Sequence, residues 1–327
     1  MSRVLRSILY RLTLAVLRCM PSGRKRRCRL VILKLDRLGD AVLSLGAARL
    51  LIAEFGAADS LLIVSPVAEP LFRREFPDVE LLVMPPFSER FWPDFLRSMA
   101  RHAPRLRSID TDHLVILRHQ ASDYLHAIAT LVQARQVHAT ECVKPLERVC
   151  LSYPRCRHVP YPAEGGCLEL EAHRRVVQSV VNRPVALHDM LPVLEASPAE
   201  GAATLLVCPV TGSTIREYPP ALLAQAVALF LQSAPGLGVT FCLPPGADRT
   251  RWEQALNAMP VTWLQPEDLT AMLQAISAAR VVLAPESAPA HLATAMNKAG
   301  VFLLGGGHSG LLAPWQRSPL QVWLQHP

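Results

Sequence analysis

No acidic residue occurs in the first 29 positions of this 327-residue chain, and its eight cysteines include no C-x-x-C pair. Aromatic residues make up 6% of the whole, and no internal repeat or low-complexity tract stands out. Each shortage excludes something. The cysteine spacings fit no common zinc pattern and read as a reducing, cytoplasmic compartment. Cys208 and Cys242, inside apolar strand-like runs, read as buried free thiols. No stretch of about 18 uninterrupted apolar residues is present, so no membrane-spanning helix is expected. The loop Asp36-Arg37-Leu38-Gly39-Asp40 contains neither the glycines of a dinucleotide fingerprint nor the G-K-[ST] of a P-loop. No D-x-D-like pair stands at a matching strand end, so no metal site is expected.

What is present begins with charge. The formal net charge is +7, and Arg3, Arg6, Arg11, Arg18, Arg24, Lys25, Arg26, Arg27 and Arg29 all lie in the opening 29 residues. The remainder is near neutral, so the basic character belongs to the N-terminus and does not imply a nucleic-acid-binding body. On a helical wheel Arg3, Arg6, Arg11 and Arg18 fall within an arc of about 140°. The other positions are mostly Val, Leu, Ile, Tyr and Ala. Residues 1–28 therefore read as a basic amphipathic segment, suited to an anionic membrane surface or to docking on its own domain with the arginines solvated. The recurring arginines and the lack of a small-x-small site argue against a signal peptide.

Half the residues are apolar, enough for two cores. Arg29–Leu35 (RLVILKL) reads as a buried strand, Ala41–Phe55 as a helix, and strands then alternate with helices to about residue 140. Residues 143–165, rich in proline and basic groups, read as a long loop. Leu168–Val181 is helical, and Ser197–Ala202 (SPAEGA) reads as a linker. The alternation restarts at Thr204–Cys208 and ends with a strand at Val301–Leu304 running into Gly305-Gly306-Gly307-His308. This pattern predicts an α/β protein. An N-terminal domain spans 29–196, a C-terminal domain spans 203–327, and each is a parallel sheet covered by helices. The simplest architecture sets the two domains about a cleft, with ligands at the carboxyl ends of the strands.

The candidate chemistry lies at those ends. Asp40 can take a proton from an acceptor hydroxyl, although a helix N-cap is the commoner role for an isolated L-G-D. In Pro209–Pro219, Thr211, Gly212 and Ser213 offer hydroxyl and backbone donors to phosphate, and Arg216 offers a cation. Taken alone, that segment is equally a polar loop with a solvated arginine. Asp248, in Leu243-Pro244-Pro245-Gly246-Ala247-Asp248, occupies a strand-end loop of the kind that holds a nucleoside, or simply a Pro-Gly turn. Glu286, Ser287 and His291 sit where Val281–Leu283 gives way to a small-residue helix predicted over His291–Met296. There a helix start favours an anion and an acid accepts from sugar hydroxyls. His308 could reach a ligand or be merely exposed. All these positions fall on one side of the predicted sheets.

In order, these segments resemble the heptosyltransferase-type enzymes of glycosyltransferase family 9. VILKLDRLGDAVLSLGAARLL is similar to the family's opening strand-loop-helix with its L-G-D. DLTAMLQAISAARVVLAPESAPAHLATAM is similar to its donor-site strand and helix, usually D-[ST]-G-x-x-H-x-A. PVTGSTIREYPP resembles the loop usually ending K-x-W-P. The resemblance covers about residues 29–310. It implies the GT-B fold, with two Rossmann-like domains facing a cleft, and an inverting, metal-independent transfer of a heptose or similar sugar. The donor would be an ADP-sugar, with no further cofactor. The acceptor would be a lipopolysaccharide-core or related lipid-linked glycan at the inner face of the cytoplasmic membrane.

By position, Asp40 would be the catalytic base and Arg216 would stand for a lysine on the donor phosphates. Thr211 and Gly212 would line the phosphate site, Asp248 would lie near the nucleoside, and Glu286, Ser287 and His291 would hold the diphosphate and sugar. Glu286 is one methylene longer than the usual aspartate, Ala288 replaces a glycine, and Arg216 keeps the charge of lysine with a different geometry. These departures support one rival: a non-catalytic sugar-nucleotide-binding or scaffold protein with a degenerate GT-B site.

Overall fold

The computed structural model describes residues 12–13, 15–85, 92–118, 123–140, 156–159, 167–195, 204–305 and 309–325. The chain forms two compact units, Met1–Met190 and Leu191–Pro327. The linker expected at 197–202, the arginines at positions 3, 6 and 11, Cys142, Cys150 and His308 lie outside the described residues.

The first unit holds β1 (Arg26–Lys34), α1 (Leu38–Leu43), α2 (Leu45–Phe55), β2 (Ser60–Val64), α3 (Glu69–Glu75) and β3 (Glu80–Val83). It continues with α4 (Trp92–Ser108), β4 (Ile109–Ile116), α5 (Asp123–Leu131), β5 (Gln133–Thr140), β6 (Cys156–Val159) and α6 (Glu169–Val181). Its six strands are parallel and ordered β3-β2-β1-β4-β5-β6. Leu30, Val31, Ile32 and Leu33 of β1 are all fully buried, because helices cover a parallel sheet on both faces and every side chain along a central strand must be apolar.

The second unit repeats the plan. It holds β7 (Thr204–Val207), α7 (Pro220–Ser233), β8 (Gly238–Cys242), α8 (Thr250–Leu256), β9 (Thr262–Leu264) and α9 (Leu269–Ala278), then β10 (Val281–Pro285), α10 (Ala288–Ala295), β11 (Gly300–Leu304) and β12 (Gln321–Gln325). The sheet is parallel, in the order β12-β11-β10-β7-β8-β9. In both sheets the connections reverse direction between the first and fourth strands, β1 beside β4 and β7 beside β10. A doubly wound sheet opens its ligand crevice at that reversal, outside the carboxyl ends of the strands. Cys208 and Cys242 are buried free thiols, as expected.

Several boundaries differ from the sequence expectation. The first helix begins at Leu38, not Ala41: the Ala41 amide donates to Arg37 O at 2.9 Å, and Arg37 holds the N-cap position. Asp40 is therefore a first-turn acid, not a cap, where its charge complements the helix dipole. The helix is interrupted at Ser44, whose hydroxyl turns back to Ala41 O at 2.7 Å. α4 runs past Pro104, whose carbonyl accepts from the Gly23 amide at 3.1 Å. The stretch 143–165, expected to be loop, contains β6. α10 starts at Ala288 because Pro289 is tolerated in a first turn, where its missing N–H costs no bond.

Val301–Leu304 is not the final strand. β12 follows, and it inverts the usual pattern: Val322 and Leu324 are exposed while Gln321 is buried. Gln321 is held inside by bonds from its side-chain amide to Thr294 O at 3.1 Å and from the Arg317 amide to its oxygen at 2.6 Å.

Candidate functional site

The reversal point of the second sheet brings together four of the predicted site residues, Arg216, Glu286, Ser287 and His291. Glu286 follows the last residue of β10 and Ser287 forms the N-cap of α10. The Ser287 hydroxyl donates to Pro285 O at 2.9 Å, and no side chain caps the helix start. Such a start offers first-turn amides and the positive dipole end to an anion. The Glu286 side chain is 5% exposed. Its Oε2 accepts from Arg216 Nη1 at 3.0 Å, and its Oε1 lies 3.0 Å from His291 Nε2. Arg216 ends a 3₁₀ turn, Thr214–Arg216, in the loop after β7. A partly exposed cation thus stands at a helix start, anchored from behind by a buried carboxylate. That arrangement suits a polyanion more than a neutral ligand.

The loop carrying Arg216 is fixed from within. The Thr211 hydroxyl donates to Ser213 O at 2.6 Å and accepts from the Ser213 amide at 3.1 Å. The Thr211 amide donates to Glu217 Oε1 at 3.2 Å, and Glu217 Oε2 pairs with Arg251 Nη2 at 2.6 Å. Thr211 and Gly212 line the loop after β7 as expected, but the donor groups of Thr211 are used to shape it. Asp248, after β8, accepts from the amide and hydroxyl of Thr250 at 2.9 and 2.6 Å. Those two bonds hold its carboxyl below the usual range. It therefore starts α8, and the structure does not bring it to Arg216. Gly305 follows β11 beside Arg216, and a Cβ added to it would stand 3.9 Å from Arg216 Cα, an ordinary contact. Gly305–Gly310 spells G-x-G-x-x-G, but Ser309–Ala313 is a bridge and turn, not the helix a dinucleotide site needs.

In the first unit, β1 ends in a buried charge cluster. Lys34 Nζ lies 2.6 Å from Glu169 Oε1 and 3.1 Å from Asp36 Oδ2. Arg118 Nε lies 3.4 Å from Asp36 Oδ1. Burial opposes the charge on Lys34, yet Asp36, Glu169 and Asp40 together outweigh it and raise the ammonium's pKa. His173 Nε2 lies 3.2 Å from Glu169 Oε1, and burial lowers the His173 pKa. Asp36 is thereby committed to holding the loop, and Asp40 sits within the field of a fixed cation. Among the described residues no group of three or more His, Cys, Asp or Glu side chains is arranged to hold a metal ion.

Sequence reasoning missed four residues: Lys34, Glu169, Glu217 and Trp315. Trp315 Nε1 donates to His291 Nδ1 at 3.0 Å. A signal existed for two of them. A lone lysine in an apolar strand needs a buried partner, and a buried indole N–H needs an acceptor. Neither signal names the partner, which for Lys34 lies 135 residues away.

The family model described as glycosyltransferase family 9 (heptosyltransferase) matches residues 185–327. Among solved structures, the E. coli heptosyltransferase WaaC with ADP aligns at a TM-score of 0.67 and 16% identity, covering 91% of this chain and 93% of that one. The family 9 glycosyl transferase from Veillonella parvula aligns at 0.68 and 13% identity, covering 93% and 88%. The E. coli ADP-heptose lps heptosyltransferase II aligns at 0.63 and 17%, covering 91% and 90%. At these identities the structures speak for the fold. No curated protein sequence matches. The second half of the chain thus matches the family 9 (heptosyltransferase) pattern, and the whole chain has the fold of these structures, two parallel-sheet domains of GT-B type.

Proposed function

We propose that this chain transfers a heptose, or a similar sugar, from an ADP-sugar to a lipopolysaccharide-core or related lipid-linked glycan, with inversion at the anomeric carbon. The observation that carries this reading is Arg216 held at 3.0 Å by buried Glu286 at the start of α10. A nucleoside diphosphate is the ligand class that such a cation and helix start favour. The adenine and the heptose are taken from the proteins it resembles: one is a heptosyltransferase solved with ADP, another is titled an ADP-heptose heptosyltransferase.

In this mechanism Asp40 accepts the proton of the acceptor hydroxyl. The hydroxyl oxygen forms a bond to the anomeric carbon as the bond from that carbon to the phosphate oxygen breaks. The electron pair leaves with ADP, whose new charge is met by Arg216 and the helix start at Ser287. Those groups meet the leaving charge without calling on a divalent metal. The basic residues up to Arg29 attract the chain to an anionic membrane, which places it in the cytoplasm, peripheral to the inner face, where lipid-linked acceptors are found.

Asp40→Asn tests this. The variant binds ADP as the parent does but loses transfer from ADP-heptose, by about 10²–10⁴-fold. Unchanged turnover removes Asp40 from the role of base. ADP-sugar binding by the parent with no transfer to any glycan acceptor would favour the non-catalytic binding protein instead.

A further inference from the structure

We infer that Trp315 is the positioning residue of this donor site: its indole N–H fixes His291 in the tautomer that holds Glu286, and Glu286 holds Arg216. The inference rests on the donor-site reading above and extends it to a residue that plays no part in the transfer itself.

An indole N–H donates and never accepts. Its acceptor is His291 Nδ1, at 3.0 Å, with the two ring planes within 6° of parallel. Nδ1 must be bare, so the ring's proton sits on Nε2, which donates to Glu286 Oε1 at 3.0 Å. Glu286 then has one oxygen committed to His291 and the other to Arg216 Nη1. Trp315 is itself pinned, because its carbonyl accepts from Trp323 Nε1 at 2.7 Å. Three donors thus run in one direction, from Trp323 to Trp315 to His291 to the Glu286 carboxylate, and Arg216 closes the chain from the other side. Trp315, His291 and Glu286 are all buried, so water does not substitute for a missing link.

An alternative opens if the indole N–H is removed. The ring can carry its proton on Nδ1, setting a bare Nε2 against the carboxylate. That loosens the hold on the arginine. The charged groups facing His291 are Glu286 and, through it, Arg216. Arg317 bonds Ala295 O at the far end of α10, and Lys298 bonds Ser277 O.

The test is the ring itself. In the unliganded protein carrying ¹⁵N-labelled histidine, NMR is expected to show the neutral His291 ring with its proton on Nε2. Trp315→Phe keeps an aromatic ring and removes the donor. In it His291 is expected to show mixed tautomers. Calorimetric ADP affinity is expected to fall about tenfold. A destabilised but otherwise intact site would not shift the tautomer. A parent His291 protonated on Nδ1 overturns the inference, whatever the variant does. So does a Trp315→Phe protein whose tautomer and ADP affinity match the parent. Failure of the parent to bind ADP overturns the donor reading, whereas the tautomer is read without ligand.

Discussion

Arg216 and Glu286 lie 70 residues apart in sequence and 3.0 Å apart at the head of α10. A guanidinium held by a buried carboxylate oxygen has its position fixed before any ligand arrives. The longer side chain at position 286, against the usual aspartate of the family, meets both Arg216 and His291 at once. Arginine in place of lysine suits such a carboxylate, because its planar fork can serve two partners.

Lys34 should be essential to the stability of the first domain. Its folded pKa is raised, so its stabilisation is fully present below the ordinary lysine value of 10.5 and is lost only as the pH climbs through the higher folded value. Lys34→Met takes the buried cation from Glu169 and leaves Asp36 with Arg118 alone, and is expected to cost about 3–5 kcal/mol in urea unfolding at neutral pH. The double variant Lys34→Met with Glu169→Leu is expected to recover much of that loss. A single variant as stable as the parent would show the cluster to be unimportant.

A pH response should arise from a second buried chain. The Ser179 hydroxyl gives its proton to Val176 O at 2.7 Å, so His138 Nδ1 must donate to Ser179 Oγ, at 2.9 Å. His138 Nε2 is then bare and accepts from His113 Nδ1 at 3.2 Å. Burial, with His113 and Arg157 nearby, lowers the His138 pKa from 6.5 to about 4. A base whose folded pKa is depressed contributes stability above its unfolded value and loses it as the pH falls through the folded one. The first domain should therefore lose roughly 3 kcal/mol between pH 6.5 and about 4. His138→Gln should flatten that limb. An acid limb of equal depth in the variant would assign it to other groups.

Gly46 should tolerate no side chain. A Cβ there would stand 2.0 Å from Met190 O, and the obstacle is backbone that cannot swing aside. Gly46→Ala is expected to destabilise the first domain by about 1–3 kcal/mol or more, read as a lower urea midpoint with an unchanged slope. A neutral result would mean that the Leu187–Met190 turn can move away from α2.

The parts of this molecule that were legible in its sequence are those that local chemistry decides. RLVILKL must be a central parallel strand, because only such a strand is apolar on both faces. The loops carrying Asp40, Arg216 and Glu286 follow strands, and in a doubly wound sheet that alone puts them at the ligand end. What stayed hidden depended on distant partners. Gln321 buries itself in an edge strand because Thr294 and Arg317 receive it, so the alternation of β12 runs backwards. Lys34 is inside because Glu169 waits for it. Trp315 matters because its indole N–H meets His291, a relation that no spacing along the chain expresses. Asp248 carried the right charge after the right strand, yet it serves the start of its own helix.

The central claim is that Arg216, at the head of α10, receives the diphosphate of an ADP-sugar. Calorimetric titration of the parent and of Arg216→Ala with ADP, UDP and GDP tests it most directly. The account predicts that ADP binds one to one and more tightly than the other two. It also predicts that Arg216→Ala weakens ADP by about 10–100-fold, while the Arg216→Lys variant loses less. Equal affinity for all three nucleotides, or ADP binding unchanged in Arg216→Ala, would contradict it.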